Sequence, residues 1–519
     1  MTILLPEIIA AARRSRLIGS DVAPDRETQR LPVAEAVRSI ALQGQVPTEA
    51  LYRAVAEARG MQYLDCETAT PSLDDARRLP EPLLRRGALL PCLAEGETVL
   101  AVADPDDRAA CATALQILGR GVSICLADPV ALRMASRRTL RLLGRDRPSG
   151  EQEDTVALLD RILLEAYLRR ASDVHLEPGD DGMRVRLRID GDLHCFLENL
   201  DRDEAAGLVS RVKVLAGLDI AEQRAPQDGG FHYRVPGSDE ARIELRAATI
   251  ATRTGERATL RLLGTARELS GLDGIGMEPD DLRAFRAAIQ RPHGLVLVCG
   301  PTGSGKTTTL YAALREIARP EINLMTVEDP VETRLPGVAQ VQVTHGGKLR
   351  FDGAIRSLLR HDPDVMMVGE IRDFETADIA IKAAMTGHLV LSTLHANTAA
   401  GAITRLLDLG CEPYRIAATL LGVVGQRLVR RLCERCREPI ADGFGPGSCA
   451  RCLGTGYYGR VGLFETLWID EELSRRIAKG HSEEELGRAG RDLVADAQRK
   501  VETGTTSVEE VRRAIYLDS

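Results

Sequence analysis

Leu295-Val296-Leu297-Val298-Cys299-Gly300-Pro301-Thr302-Gly303-Ser304-Gly305-Lys306-Thr307-Thr308-Thr309 is the stretch whose reading decides the fold. It opens with a five-residue apolar run, the composition of a strand buried on both faces of a parallel sheet. A glycine-rich loop follows, and Thr307 to Ile317 predicts a helix, with good formers in Leu310, Ala312, Ala313 and Leu314. Gly300 to Thr307 fits G-x-x-x-x-G-K-[ST] in the strand–loop–helix context that motif needs. Glycines let backbone N–H groups turn inward around phosphate oxygens, and the helix N-terminus adds partial positive charge. On this reading Gly300, Pro301, Thr302, Gly303, Ser304, Gly305, Lys306, Thr307 and Thr308 cradle a nucleoside triphosphate. Lys306 reaches the β- and γ-phosphates, and the Thr307 hydroxyl sits on Mg²⁺.

Working outward, a length of 519 residues predicts about three or four domains. At 44% hydrophobic and 28% charged residues, the chain can bury real cores. Aromatics make up 3%, too few for the stacking platforms of single-strand binders, and the net charge of −8 opposes a phosphate backbone. Both observations argue against a nucleic-acid partner. No run of ~18 uninterrupted apolar residues predicts a membrane span. Arg13, Arg14 and Arg16 follow the short apolar run at the start, the reverse of a signal peptide's order. The cysteines are accordingly expected as free thiols plus one metal site, not disulfides.

Residues 1 to about 60 carry apolar positions at helical spacing, including Ile8, Ile9, Ala12, Val33, Val37 and Ile40. Short strands at 89–93 and 98–103 (turning through Glu95-Gly96-Glu97), a helix over 108–117 and a strand at 122–126 predict a small α/β module. Nothing in that module carries chemistry, so it reads as an adaptor. A polar linker follows, then a helix from Thr155 to Arg169 and strands at 183–189 and 193–197. Arg184, Arg186 and Arg188 alternate with Val185, Leu187 and Ile189, a half-buried strand with a cationic outer face. A second arginine-dense strand pair, 241–246 and 257–263, closes this domain.

Three further apolar strands downstream end in polar groups, and such ends converge on ligand at the carboxyl edge of an α/β sheet. Ile322 to Val327 ends in Glu328-Asp329-Pro330, Val365 to Val368 in Gly369-Glu370, and Leu389 to Leu394 in His395, with His388 just before that strand. Phosphoryl transfer needs a carboxylate to polarise the attacking water, an acidic group near Mg²⁺ and cations on the developing charge. Glu370 and Glu328 are the candidates for the first two roles; His388 and His395 are candidates to contact the γ-phosphate or to sense its loss.

With these residues in view, the chain resembles the secretion ATPase superfamily. Residues 300–311, 326–332, 359–373 and 386–395 look like its Walker A, Asp box, Walker B and His box, in the family's order. Ser172-Asp173-Val174-His175-Leu176-Glu177-Pro178 and a later four-cysteine cluster are similar to the assembly ATPase of type II secretion systems. The extension ATPase of type IV pili shares both features; retraction ATPases fit less well. The resemblance implies a RecA-like P-loop core and a homo-hexamer binding ATP, Mg²⁺ and Zn²⁺. It also implies arginines reaching nucleotide from the domain before the phosphate loop. Arg246 and Arg261 fall on those positions, and Arg356 and Arg360 complete the set. The family's R-V-S-x-x-P reads Arg246-Ala247-Ala248-Thr249-Ile250-Ala251 here, so the loop after Arg246 is expected to be built differently.

Cys433-x-x-Cys436, twelve residues, and Cys449-x-x-Cys452 supply four thiolates for tetrahedral Zn²⁺; a redox dithiol is the competing reading. The first pair is expected to follow a helix bearing Arg427, Arg430 and Arg431, and the spacer is shorter than is usual in the family. The expected architecture is multidomain α/β. It comprises an adaptor and docking region at 1–140, a linker at 141–150 and a second α/β domain at 151–267. A RecA-like core at 268–430, a zinc module at 431–460 and a helical C-terminal region at 461–519 follow. The implied function is a cytoplasmic hexameric ATPase powering pseudopilus assembly, docked peripherally on an inner-membrane platform protein. A type IV pilus extension motor is the nearest alternative. A RecA-like nucleic-acid translocase and a non-hydrolysing nucleotide scaffold are alternatives from other classes.

Overall fold

The structure, a computed structural model, describes residues 5–25, 28–31, 33–94, 96–119, 121–145, 155–235, 242–263, 271–343 and 350–516. Glu95 of the expected turn, residues 146–150 of the expected linker, Ala241 of the arginine-dense strand pair and the expected boundary at 267/268 lie outside them. Two compact units form, residues 1–265 with 447–456, and residues 266–446 with 457–519.

In the first unit, the helical spacing near the start becomes α1 (Leu5–Arg14), α2 (Val33–Gly44) and α3 (Thr48–Arg59). Their apolar stripes, among them Ile8, Val37, Ile40, Leu51 and Val55, are buried in one cluster. The segment around Cys449–Cys452 belongs with this lobe, the Ala450 N–H donating to Glu57 on α3 at 2.8 Å. A four-stranded sheet comes next, built from β1 (Thr70–Pro71), β2 (Leu89–Ala94), β3 (Glu97–Val102) and β4 (Ser123–Leu126). With α4 (Leu73–Arg78), α5 (Glu81–Arg85), α6 (Arg108–Leu118) and α7 (Pro129–Leu142), it forms a core of its own around Leu89, Leu100 and Leu132.

Helix α8 (Thr155–Leu168) leads into β5 (Ala171–Gly179), β6 (Gly182–Ile189), β7 (Asp192–Leu200), α9 (Arg202–Ala216), β8 (Gln227–Arg234), β9 (Arg242–Thr252) and β10 (Gly255–Leu263). The sheet runs β7-β6-β5-β10-β9-β8, buries Val174, Leu187, Leu245 and Leu260, and packs them on α8 and α9. On its other face, Asp173 pairs with Arg261 at 2.9 Å and lies 4.0 Å from Arg188. Glu177 gathers Arg186 and Arg257 at 2.7 Å and Arg184 at 3.8 Å. The cationic stripe of the sequence is thus bound across strands to two carboxylates of β5. That strand, α9 and β8 are additions to the sequence reading. For α9 the signal was present, a capping box in which Asp201 and Glu204 serve each other's backbone N–H groups.

The second unit holds the strand that opened the reading. Here α10 (Pro279–Ile289) precedes β11 (Gly294–Cys299), α11 (Lys306–Ile317), β12 (Leu324–Glu328), β13 (Val338–Gln342), α12 (Phe351–Leu358), β14 (Val365–Val368), α13 (Phe374–Met385) and β15 (Leu389–Leu394). Then follow α14 (Ala399–Asp408), α15 (Pro413–Thr419), β16 (Leu420–Leu432), β17 (Glu438–Ile440), β18 (Gly443–Gly445) and β19 (Tyr457–Trp468). Helices α16 (Glu471–Ala478), α17 (Glu483–Gly487), α18 (Leu493–Glu502) and α19 (Val508–Tyr516) end the described chain. Strand order is β13-β12-β14-β15-β11-β16-β19, parallel except for β19. Every residue of β11 is buried, with Leu295, Leu297 and Cys299 entering one apolar cluster and Val296 and Val298 the other. Among the described residues no helix is long and apolar enough to cross a membrane.

Two expectations are corrected here. Residues 427–431 are not helical but lie in the thirteen-residue strand β16. Their arginines fall at helical spacing, yet Gly422, Val423, Val424, Gly425 and Val429 disfavour a helix. Gly422 is covered by Trp468, whose ring a Cβ would meet at 2.3 Å, so cross-strand approach explains that glycine. Residues 461–468, expected in a helical region, complete β19 along β16, with Gly422 opposite Trp468.

Within the first unit, charge as well as apolar contact joins the lobes. Arg169 of the α8 end bridges Glu49 at 2.9 Å and Glu165 at 3.0 Å, while Glu67 takes Arg161 and Arg138. Asp65 and Asp128 line a cavity of about 60 Å³ in the same cluster. Burial, opposed for Asp128 by N–H bonds from Val130 and Ala131, pushes each carboxyl from 3.8 up to about 6. A carboxyl raised in this way stabilises the fold fully below its unfolded pKa, and that contribution is lost as pH rises through about 6. Asp128→Asn keeps a helix-capping oxygen and removes the charge. It should leave stability unchanged near pH 4 and raise it by about 1–2 kcal/mol above pH 6. Urea unfolding of both proteins across that range checks the difference; an equal gain at all pH values would refute this origin.

Candidate active site

The phosphate loop leaves β11 at the carboxyl edge of the sheet, between a parallel neighbour on each side, β15 and β16. Gly303 and Gly305 take φ of 79° and 88°, the left-handed region that L side chains avoid. Lys306 is 9% exposed, and its ammonium donates to the carbonyls of Gly300 at 2.8 Å and Pro301 at 2.9 Å. Burial lowers its pKa, with the Glu370 charge acting in the opposite direction. The Ser304 hydroxyl is buried with no protein partner in the described structure, an orphaned donor inside the loop. A loop of inward-turned glycines with a lysine and an unmet hydroxyl fits a triphosphate. Thr307, second residue of α11, stands where the motif places the Mg²⁺ ligand.

Two strand ends beside the loop hold the carboxylates. Glu370 follows β14, its backbone fixed from β15 by Ser392 donating to Val368 O and Thr393 to Gly369 O, both at 2.7 Å. Its carboxylate takes an ion pair from Arg372 and lies 3.2 Å from His395 Nε2. Glu328 ends β12 and is 3% exposed. It accepts bonds from Tyr311, from Thr326 at 2.5 Å and from Gln340 at 3.1 Å. Burial and then the hydrogen bond to Glu328 hold the Tyr311 hydroxyl protonated, far above its usual range. Glu328 is thus enclosed by protein donors, and Glu370 is the more open of the two.

The structure brings Lys306, Glu328, Glu370 and His395 to one sheet edge and leaves three predicted residues at the other. His388 precedes β15, beside Gly294 at the start of β11, and its ring bonds Ala383 O at 3.0 Å. Six strand residues at roughly 3.3 Å each put it about 20 Å from the phosphate edge, so it cannot touch the phosphates of its own chain. Arg356 and Arg360 close and follow α12, which returns the chain toward the amino edge, where Asn323 bonds the carbonyls of His361 and Asp362. Both are exposed and meet no carboxylate among the described residues. Arg246 and Arg261 face each other across β9 and β10 in the first unit.

Two residues of the edge went unread. Arg372, two positions past Glu370, also approaches Asp329 at 3.9 Å and so spans both carboxylate strand ends. Gln426 is buried under the loop in β16, and the only signal was a lone amide within an apolar run.

The thiol sulfurs of Cys433, Cys436, Cys449 and Cys452 lie within 4.8 Å of one another. Cys449 and Cys452 are 3.7 Å apart, close to the edge of a tetrahedron with metal–sulfur bonds of about 2.3 Å. The Gly456 N–H donates to the Cys452 sulfur at 3.2 Å, the support a thiolate ligand takes. The β17–β18 hairpin joins the two pairs. Four thiols in this array could hold a metal ion.

Residues 149–513 match the family described as Type II/IV secretion system protein, and residues 59–144 match the MshEN domain. The type II secretion system protein E of Pseudomonas aeruginosa is 46% identical over 387 residues, covering 70% of this chain and 76% of that protein. The type IV pilus assembly ATPase PilB of Thermus thermophilus is 38% identical over 515 residues, 90% of this chain and 58% of that protein. Among solved structures, the ATPase DotB of Legionella pneumophila shares the fold at a TM-score of 0.56, with 24% identity over 72% of this chain and 98% of that one. A phosphate loop, two strand-end carboxylates and a four-thiol array in a chain so matched mean that it belongs to the Type II/IV secretion system protein family.

Proposed function

We propose that this chain is the ATP-driven motor of a type II secretion system, working as a homo-hexamer that powers pseudopilus assembly. It is an ATP hydrolase with Mg²⁺. The observation that carries the reading is the phosphate loop sharing a sheet edge with Glu370, whose carboxylate is oriented by Arg372 and His395. Glu370 is the base that polarises the attacking water, because Glu328 is enclosed by Tyr311, Thr326 and Gln340. Glu328 instead stiffens the end of β12. The Thr307 hydroxyl would hold Mg²⁺, which would supply charge neutralisation at the phosphates. Lys306 holds the same phosphates, and His395 senses their state through Glu370.

Residues 1–140 serve as the docking region for an inner-membrane platform protein, which keeps the motor peripheral on the cytoplasmic side. The six-part division of the chain is the working one. Zn²⁺ in the four-thiol array orders the small lobe at 431–460 and takes no part in hydrolysis. Arg246 and Arg261 supply charge to a nucleotide in the ring, with Arg356, Arg360 and His388 facing neighbouring chains. Arg246 supports this, as it meets no carboxylate among the described residues. A second reading, the type IV pilus extension motor, is favoured by one observation. The pilus ATPase match spans 90% of the chain, whereas the secretion matches span about 70%. Loss of an exported protein on gene deletion supports the first reading, and loss of pili with export intact the second.

Lys306→Ala should abolish ATP binding, measured with a fluorescent analogue. Glu370→Gln should bind ATP normally and turn over roughly 10²–10³-fold more slowly, the size of one preorganised charged group. Normal turnover in Glu370→Gln would remove it as the base.

Arg246→Ala should depress turnover more than nucleotide affinity, since the charge matters most in the transition state. Turnover per chain should rise with protein concentration as rings form. Flat specific activity from a monomer, established by light scattering, would contradict the shared site.

Elemental analysis of protein purified without chelator should give about one zinc per chain. Cys449→Ser should lose that zinc while keeping ATP affinity; a metal-free, active hexamer would refute the site.

A further inference from the structure

Gln426 belongs to neither the carboxylates nor the loop, yet it touches both ends of the loop. Strand β16 runs parallel to β11, with Gly425 level with Cys299, so Gln426 lies where β11 gives way to the loop. The residue is 3% exposed. Its backbone carbonyl faces Gly300, where a Cβ would come within 2.4 Å of it. Its amide nitrogen lies beside Gly305, where a Cβ would meet it at 2.8 Å. Its amide oxygen accepts a bond of 2.7 Å from the hydroxyl of Thr309, a fully buried residue in the first turn of α11. One residue therefore stands at the whole loop, its backbone carbonyl against the first glycine and its side chain against the last glycine and the helix that the loop feeds.

The plain alternative is a space-filling residue between a strand and a helix. A Leu or Met would fill that volume without burying an amide, whose desolvation costs about 1–3 kcal/mol when its bonds are incomplete. Here the amide makes one bond to protein, through its oxygen, and its nitrogen has no acceptor among the described residues. That cost is met where the amide fixes a geometry packing alone would leave loose. The loop has few side chains and three glycines with positive φ, so little else in it sets its spacing.

We propose that Gln426 is a positioning residue for the phosphate loop. Its side chain ties Thr309 to one rigid strand and packs beside Gly305, so that the loop N–H groups stay aimed at the triphosphate. The gain is preorganisation, because donors already in place need not be reorganised as charge develops on the phosphates. Strand β16 then continues to Leu432, one residue before Cys433. This inference rests on the ATP reading above.

The test uses the full-length protein and three variants. Gln426→Leu keeps the volume and removes both amide functions. Gln426→Glu keeps an acceptor for Thr309 but sets a carboxylate oxygen beside Gly305. Thr309→Val removes only the hydroxyl. Melting without nucleotide, ATP affinity at low and high salt, and turnover are read for each. Gln426→Leu should bind ATP roughly tenfold more weakly, the equivalent of one hydrogen bond. Thr309→Val should lose part of this, and the double variant should be no weaker than Gln426→Leu. Gln426→Glu should weaken ATP binding most at low salt, a signature of charge near the phosphates that loss of packing does not give. Gln426→Glu melting as wild type and binding ATP within twofold of it at every salt would overturn the proposal. Should Gln426→Leu fail to fold, Gln426→Glu and Thr309→Val decide alone. Lys306→Ala is the control. If wild type binds no ATP, the nucleotide reading fails; if wild type binds ATP, Lys306→Ala loses it and the Gln426 variants bind as wild type, only this inference fails.

Discussion

A strand with no polar face can live only at the centre of a sheet covered by helices on both sides. Strand β11 is that strand, since its six residues are all buried and the five after Gly294 alternate between two apolar clusters. The constraint fixes much else. Its neighbours must be parallel and nearly as apolar, as β15 and β16 are, and their backbone groups are spent on each other. Polar side chains are therefore expelled to the strand ends. At the carboxyl end the chain can turn out only through residues that tolerate left-handed backbone, and there the phosphate loop forms. Chemistry collects at this edge because the sheet interior admits none.

The same geometry divides the cations. At the carboxyl edge Lys306 is held by two loop carbonyls, Arg372 is bound to Glu370, and Arg427 donates to the Asn397 carbonyl at 3.1 Å. Charge developing on a transferred phosphoryl group needs more than one lysine. Arg356, Arg360 and His388 are a sheet's width away on their own chain. The arginine-dense sheet of the first unit carries Arg261 opposite Arg246. Arg261 is half spoken for by Asp173, whereas Arg246 meets no carboxylate among the described residues. A site assembled by a ring of chains resolves this shortage, which is the physical sense of the proposed hexamer.

How much of this was legible follows from where each signal resides. That the phosphate loop, Glu328, Glu370 and His395 stand at strand ends was readable because each follows a run of apolar residues, and such runs are local. That the four cysteines fall in two close pairs was readable from their short spacings, and the structure brings the four sulfurs together. Strand β5 was not placed, because the alternation of Asp173, His175 and Glu177 gives little local signal until the arginines of β6 and β10 are known to lie across from it. Strand β16 was misread as helix because its arginines mimic a helical stripe, while what sets its conformation is pairing with β11 and β19, far away in sequence. His388 was misplaced for another reason. A strand's direction is visible in sequence, but proximity to a motif is easily taken for proximity to a site, and the two ends of one strand face opposite edges.

Long-range pairing also explains why the amide of Gln426 escaped notice. In sequence it is a single polar residue among Val423, Val424, Leu428 and Val429, with no spacing rule to single it out. Only the register of β16 against β11 brings it level with the loop. The general point concerns loops built of glycine. Freedom of backbone lets the N–H groups converge, but it also leaves many conformations open, and that entropy must be removed by something outside the loop. A rigid strand alongside can remove it, provided that one of its residues presents hydrogen-bonding groups in place of an apolar side chain. In this fold β16 is the strand placed to do so, and Gln426 is its residue at the height of the loop.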